Sequence, residues 1–438
     1  MRRVLMVSPH FPPDTSAGAH RVRLLAPHLP RYGWEPTVVS VDPRDYEGRL
    51  DPHLASLVPA DLRVVRCRAW PARFTRRLGV GDLGIRAFTG LRDACAGLLE
   101  REPFDVVFIT IFPTYPALLG PVFKRRFGVP FVLDYADPWV GAWGETVGSG
   151  PDGRPDVKSR LTRALARRLE PKVVRAAGAL TAVSAATYEQ VRTRHPELAR
   201  LPCLAIPYGG EPADFARLRQ RPRSNRYFTP ADGNAHISYV GTLLPLGFET
   251  LRAVLRAVRR LAERRPGLYR RLRLRFFGTS NQTAPDAPAR VLPVARELGV
   301  EGCVTEIAPR IDYLDALTVQ IDATGILMMG SSEPHYTASK LYPGLLAERP
   351  ILAVYHEASS VVEILRRAAR PPAARLVTYD DTRRAESRAE AIYEELRALI
   401  ENPIYDRRAV DPVVMSEYSA ETLAGKLAAV LEQACARR

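Results

Sequence analysis

Short, almost unbroken apolar runs recur along this chain, each followed by a longer stretch with helical periodicity, and that alternation leaves few folds open. Runs such as DVVFIT, PFVLDY and ALTAVS, at 105–110, 130–135 and 179–184, are apolar at odd and even positions alike. Strands buried on both faces of a parallel sheet have this pattern. The strands expected in the first half are Arg3–Ser8, Pro36–Val41, Leu62–Arg66, Asp105–Thr110, Pro130–Tyr135 and Ala179–Ser184, with Leu204–Pro207 as a candidate to close the set. Helical periodicity fills Ala19–Tyr32, Leu83–Arg101, Tyr115–Phe127, Val157–Ala177 and Ala185–Thr193. Polar, irregular chain follows from Gly209 to Asn234, and the alternation then restarts. Its strands are His236–Val240, Leu272–Phe277, Cys303–Ala308, Thr324–Met329, Pro350–Val354 and Leu376–Tyr379. Helices fall at Phe248–Arg264, Ala287–Leu298, Tyr313–Val319, Ser339–Ala347 and Ser360–Ala369, and the long helices Arg383–Ile400 and Ser419–Ala434 finish the chain. The expectation is an α/β protein of two doubly wound parallel-sheet domains facing across a cleft. The first covers 1–210, a linker 211–234 and the second 235–415, while 416–438 form a helix packing back on the first domain. Ligands bind at the carboxyl ends of strands in such folds.

Composition narrows the class. A length of 438 residues suits two domains, and 46% apolar with 25% charged residues suits a globular protein. The opening MRRVLMVSPHFPPD has an apolar run too short for a signal peptide, and no stretch approaches the ~18 apolar residues of a membrane span. A cytoplasmic location is therefore expected, with contact at most with the inner membrane face. Five scattered cysteines and eight scattered histidines give no zinc spacing, no HExxH and no disulfide framework, so no metal is expected. The net charge of +15 has two readings. Only five of the 63 basic residues are lysines and arginine is spread throughout, as in a compositional habit. Alternatively, Lys124-Arg125-Arg126 and Arg163, Arg167 and Arg168 mark a surface near lipid headgroups. Nucleic acid is not expected, because no basic groove interleaved with aromatics is visible.

Three motifs carry chemistry. In SPHFPPDTSAGAHRVRLL, after the first strand, Gly18 opens a helix whose free N–H groups suit an anion, with Arg21 beside it. In PFVLDYADPWVGAWGETVG, Asp134 and Asp137 are placed at the carboxyl edge of a buried strand, followed by Trp139 and Trp143. A carboxylate there can orient a hydroxyl or stabilise positive charge. Asp137 as a turn cap, with the tryptophans sealing the core, is the structural alternative. In EPHYTASKLYPGLLAERPILAVY, Ser339 is the expected N-cap and Lys340 lies in the first turn, where a cation opposes the helix dipole unless a phosphate binds both.

The chain resembles the GT-B glycosyltransferases of the family 4 type, with their two Rossmann-like domains. The resemblance rests on SPHFPPDTSAGAHRVRLL, FVLDYADPW, LEPKVVRAAGALTAVS, IPYGGEPADFA, ISYVGTL, RFFGT and TASKLYPGLLAERPILAV, in that order along the whole chain. It implies retaining transfer from a nucleotide sugar, a co-substrate, with no bound metal or other cofactor. The second domain holds the nucleotide, and the first holds a sugar, lipid-linked or small-molecule acceptor in glycoconjugate or polysaccharide assembly. By position, Gly18 and Arg21 face the donor diphosphate, as do Gly241-Thr242 and the helix start Ser339, Lys340 and Leu341. Ala308 to Arg310, with Pro309 between, lie against the base, and Asp137 lies near the reacting sugar. Asp137, Lys340 and Arg21 are the catalytic candidates. The chain also departs from the pattern. Two family glutamates are replaced by His335 and Pro343, and GTLLPLGF lacks a basic residue. Glu333 and Tyr336 are candidates to substitute in donor binding. These departures keep open a second reading, a non-catalytic GT-B protein that binds a nucleotide, lipid or partner. A nucleotide-sugar epimerase of the same architecture lacks an evident acid and base pair.

Overall fold

The structure, a computed structural model, describes residues 1–140, 157–280, 282–331 and 340–437, with backbone alone at 157–159. The chain divides into two units, Met1–Gly209 with Ala420–Arg438, and Gly210–Ser419. In the first, β1 (Arg2–Val7), β2 (Trp34–Val41), β3 (Arg63–Cys67), β4 (Val106–Ile111), β5 (Phe131–Tyr135), β6 (Ala179–Ala182) and β7 (Cys203–Ala205) form one parallel sheet. Its order is β3-β2-β1-β4-β5-β6-β7. Val7 lies opposite Val39 on one side and Ile109 on the other. Because side chains alternate, Val4, Met6, Val38, Val106 and Phe108 build the core on one face, and Leu5, Val7, Val39, Val107 and Ile109 build it on the other. The second face is covered by α2 (Phe88–Arg101), α3 (Leu119–Phe127), α4 (Val157–Val174) and α5 (Ala185–Arg194), and the first face by α1 (Ala17–Leu25) and the segment Ala26–Tyr32.

The second unit repeats the plan. Its strands β8 (Ala235–Val240), β9 (Leu272–Phe277), β10 (Val304–Ile307), β11 (Gly325–Met329), β12 (Ile351–His356) and β13 (Ala374–Tyr379) lie in the order β10-β9-β8-β11-β12-β13, all parallel. The helices that matter below are α6 (Pro212–Gln220), α7 (Phe248–Arg264), α8 (Leu341–Leu346) and α9 (Ala389–Glu401). Helix α7 buries Leu251, Val254, Leu255, Val258 and Leu261, an apolar stripe at helical spacing. The final helix α10 (Ala420–Cys435) belongs to the first unit, where Leu423, Leu427, Val430 and Leu431 pack on Val4, Met6, Leu25 and Trp34.

Several expected boundaries are corrected. Residues 211–234 are not free linker. They carry α6, capped by Glu211 through the Ala213 N–H at 3.1 Å, and pack into the second unit. Arg223 and Arg226 pair with Asp315, and Tyr227 and Phe228 pack with Phe277. Composition hid this because the contacts are polar and long-range. The helix expected at Ala287–Leu298 is α-helical only over Leu292–Glu297, since the Glu306 carboxylate accepts the N–H groups of Arg290, Val291 and Leu292 at 2.8, 3.0 and 2.9 Å. The stretch Leu83–Arg101 breaks at Ala87 into two helices.

One internal ion pair overturns two expectations. Arg21, 2% exposed, donates from Nε and Nη2 to Asp134 at 2.8 and 2.6 Å and from Nη1 to the Ile206 carbonyl at 2.6 Å. Asp134, fully buried inside β5, also accepts from Thr181 at 2.7 Å. Burial alone would lower the arginine pKa, but the Asp134 charge and hydrogen bonds hold it above its ordinary value. Arg21 is thus not at a diphosphate and Asp134 is not at an open edge. The pair ties α1, β5, β6 and the segment after β7 together.

Leaving a buried charge unpaired costs about 3–5 kcal/mol. Arg21→Met is therefore expected to lose about that much in urea unfolding, and Arg21→Met with Asp134→Leu to recover part of it. An Arg21→Met variant of unchanged stability would return Arg21 to a ligand-facing role. In α10, Leu427→Ala is expected to cost ~2–5 kcal/mol by the same measurement, because Leu427 is fully buried.

Candidate functional site

Both sheets reverse strand order where ligands bind in open α/β folds, between β1 and β4 and between β8 and β11. In the second unit the loops at the carboxyl ends of β8, β9 and β10 are laced together by backbone hydrogen bonds. Gly241 N–H donates to the Phe277 carbonyl at 3.0 Å, Leu243 to Thr279 at 2.9 Å, Gly278 to Ile307 at 2.8 Å and Ser280 to Ala308 at 3.0 Å. Gly278 has φ +75°, a conformation that glycine adopts without strain, so the chain turns sharply as it leaves β9. On the β11 side, the Tyr379 hydroxyl donates to the Ser331 carbonyl at 2.8 Å and bonds Thr250 of α7 at 2.9 Å. Tyr239, Thr242, Leu243, Gly330 and Ser331 share a small recess at this switch point.

Two expected donor residues meet there. A Cβ on Gly241 would lie 3.8 Å from Lys340 Cγ, so the β8 loop and the start of α8 touch. Lys340 is the N-cap of α8 and stands just before its first turn. The helix has only six residues, so its dipole is weak and the ammonium must act through its own charge. Lys340 is exposed to solvent. Partial desolvation by neighbouring protein, with the Arg310 charge second, lowers its pKa from the ordinary 10.5. Solvent contact along the side chain works against that shift, so the ammonium stays protonated at neutral pH. Among the described residues Lys340 makes no ion pair with an acid. Two cations therefore lean on one another at the open end of the sheet, an arrangement that an anion relieves. Arg310 is held in place by its N–H, which donates to the Gln282 carbonyl at 2.8 Å, and it follows Pro309 directly after the β10 edge. Leu341 is buried and anchors α8.

Pro343 fits its place in the helix. It is the third residue of α8, where the N–H has no helical partner in any case, so the proline costs the helix nothing. Glu333, His335, Tyr336, Ser339 and Trp143, named from the sequence, lie outside the described residues. A larger cavity in this unit, of about 400 Å3, is lined by Tyr342, Leu345, Val410, Met415 and Tyr418. That apolar lining does not suit a diphosphate, and Lys340 is not part of it.

In the first unit, Gly18 sits in the opening turn of α1, but its need for glycine is steric. A Cβ there would come within 2.3 Å of Phe112 Cδ1, which follows β4. Asp137 follows β5 and is open to solvent, with no hydrogen-bond partner among the described residues. Neighbouring protein raises its pKa by desolvation. Trp139 packs partly against the core. The sequence reading missed His10 and Asp14, in the same loop as Gly18. His10 Nδ1 lies 2.5 Å from Asp14 Oδ2, and the ring stacks on Tyr46 at 6.0 Å. Burial raises the Asp14 pKa, but the hydrogen bonds from His10 and Ser16 outweigh it and hold the carboxyl below its usual range. An imidazole fixed in this way can accept a hydroxyl proton. The signal was present as HxxxD directly after the first strand, and it was obscured by the two prolines between.

Residues 16–209 match the family model described as the glycosyl transferase 4-like domain. No curated protein matches the chain significantly. Among solved structures, the chain is similar to an α,α-trehalose-phosphate synthase (UDP-forming) from Burkholderia vietnamiensis, at 12% identity and TM-score 0.62 over 100% of both chains. It is also similar to HepE of Anabaena in complex with UDP and glucose, at 14% identity and TM-score 0.60, covering 99% of this chain and 100% of that chain. A UDP-forming α,α-trehalose-phosphate synthase from Burkholderia xenovorans follows at 12% identity and TM-score 0.60, covering 99% of each chain. At these identities the likeness is one of fold. Residues 16–209 are thus similar to the glycosyl transferase 4-like domain, in a chain whose two parallel-sheet units have the fold of the GT-B glycosyltransferases.

Proposed function

We propose that this protein is a glycosyltransferase that moves a sugar from a nucleoside-diphosphate donor, with UDP as the nucleotide, to an acceptor hydroxyl in glycoconjugate or polysaccharide assembly. The observation that carries the reading is the Lys340–Arg310 pair of cations at the β8/β11 switch point, with no acid on Lys340 among the described residues. The family of the first unit supports it, as do solved structures of HepE with UDP and glucose and, at TM-score 0.54 and 15% identity, with UDP-glucose.

The chemistry follows from charge. As the bond between sugar and diphosphate breaks, negative charge grows on the leaving oxygens, and fixed cations stabilise that state more than the ground state. Lys340 and Arg310 do this without a metal. The backbone of Gly241 and Thr242 lets the diphosphate approach closely. Transfer proceeds with retention, the acceptor attacking on the face that the diphosphate leaves. Asp137 is assigned a place near the reacting sugar on the strength of its open carboxyl, which has no partner among the described residues. Arg21 supports the fold of its unit and is not a catalytic group. Glu333, Tyr336 and Ser339 stay in the proposed donor set on sequence grounds.

A non-catalytic GT-B protein is the second reading, and Pro343 favours it because a proline offers nothing to a ribose hydroxyl. Thermal shift with UDP, followed by mass spectrometry of donor hydrolysis, separates the two. Binding with turnover supports the enzyme, and binding without any turnover supports the second reading.

Losing one group that stabilises the leaving charge costs roughly 100-fold or more in kcat. Lys340→Ala is expected to show that loss with a verified donor, and unchanged turnover would remove Lys340 from the site. Affinity for UDP should also depend on pH through the same lysine. Anion binding favours the charged ammonium, whose pKa in the free protein lies below its ordinary 10.5. Affinity should therefore be flat near neutral pH and fall as pH rises through the lysine's pKa in the alkaline range, approaching tenfold per pH unit above it. Calorimetry across pH 7–10 should show that fall in the wild type and a flat profile in Lys340→Arg.

A further inference from the structure

Two segments of the first unit, far apart in sequence, expose large apolar side chains among arginines. In the excursion after β3, Trp70 is 61% exposed, Phe74 53% and Leu78 82%, interleaved with exposed Arg73, Arg76 and Arg77. In α4, Leu161 is 69% exposed and Leu165 39%, one helical turn apart on the same face, with Arg160 and Arg168 exposed beside them. Both segments reach the same short turn. The helix Leu83–Arg86, which ends the first excursion, and α4 both pack on Tyr115–Leu118. Apolar groups of this size are normally buried, and exposed apolar surface rimmed by one sign of charge marks an interaction site.

We propose that this face of the first unit docks on the surface of an anionic lipid bilayer. Trp, Phe and Leu tips are the residues that enter the boundary between headgroups and acyl chains, and arginines around them meet the headgroup phosphates. The local acids do not oppose this. Glu47 is neutralised by Arg76 at 2.6 Å and Arg86 at 3.0 Å, and Asp45 by Arg68 at 2.7 Å. Asp82 caps the helix through the Ile85 N–H at 2.9 Å. Arg73 and Arg77 make no ion pair with an acid among the described residues, and Arg73 lies 4.7 Å over the Phe74 ring, presenting charge and apolar area together. Insertion is confined to the interface, because no described helix is long and apolar enough to cross a membrane. Of the two basic clusters read from the sequence, the one with Arg168 lies on α4 and belongs to this surface, whereas the other does not. In Lys124-Arg125-Arg126, Lys124 is held by the Ala176 carbonyl at 2.9 Å and Arg126 by Glu100 at 2.5 Å.

The test is sedimentation of the full chain with vesicles of phosphatidylcholine alone and with about a third phosphatidylglycerol, at low and physiological salt, where surface charge attraction is progressively screened. The wild type is expected to bind the anionic vesicles at least tenfold more tightly than the neutral ones, and more weakly as salt rises. Trp70→Ser/Phe74→Ser/Leu78→Ser should lose at least tenfold in binding, and Arg73→Glu/Arg77→Glu should lose the preference for anionic lipid. These side chains are exposed, so the variants should keep the wild-type circular dichroism spectrum. Leu161→Ser/Leu165→Ser gives the same reading independently from α4. Absence of binding to anionic vesicles overturns the proposal and assigns the face to a protein partner. Binding unchanged in all three variants overturns it as well. No donor or acceptor enters the experiment, so its outcome is independent of the proposed sugar transfer.

Discussion

Parallel strands buried on both faces set the terms for everything else in this protein. Every side chain of β4 is buried, and β1 alternates Val4 and Met6 with Leu5 and Val7 between two cores, so the centre of the first sheet has no position left for water or ligand. Polar chemistry is driven to the loops at the strand ends. Where the strand order reverses, adjacent loops diverge onto opposite faces and leave room for a bound molecule. Gly18, Phe112, His10 and Asp14 gather at that place in the first unit, and Gly241, Thr242, Gly330 and Lys340 in the second.

Two basic residues show how the partner a cation finds decides between structure and function. Arg21 and Lys340 looked alike as cations near glycines after strands. Arg21 found a buried carboxylate matched to its fork, plus a backbone carbonyl, and every such contact commits it to the fold. Lys340 found a second cation instead, and its pKa falls because nothing among the described residues offsets the desolvation. A buried pair is self-sufficient, whereas an uncompensated cation is complementary to an anion from outside. That contrast is why Lys340, and not Arg21, carries the proposed chemistry.

The fold was legible where the pattern is local. Strands with continuous apolar runs, such as β4, β5 and β6, lie within one or two residues of their expected bounds, because double-sided burial writes itself directly into composition. Contacts between distant residues were not legible. Arg21 and Asp134 are 113 positions apart, and nothing in either motif announces the other. The segment 211–234 read as linker because its anchors are arginines, whose partners Asp312 and Asp315 lie far along the chain. In the site, Gly241 and Lys340 were named from motif order and do come together, while the steric role of Gly18 depends on Phe112, which the first motif does not contain. The His10–Asp14 contact was within reach of a spacing argument, yet the loop has no helical or strand period to place an i, i+4 pair on one face.

The central claim is that the diphosphate of a nucleotide sugar sits on Lys340 and Arg310. The most direct test is a crystal structure of the protein with UDP. The account predicts phosphate oxygens within about 3 Å of Lys340 Nζ, with Arg310 on the same nucleotide and the Gly241–Thr242 backbone against the phosphates. A nucleotide bound elsewhere, or a diphosphate at this switch point that leaves Lys340 out of contact, would contradict it.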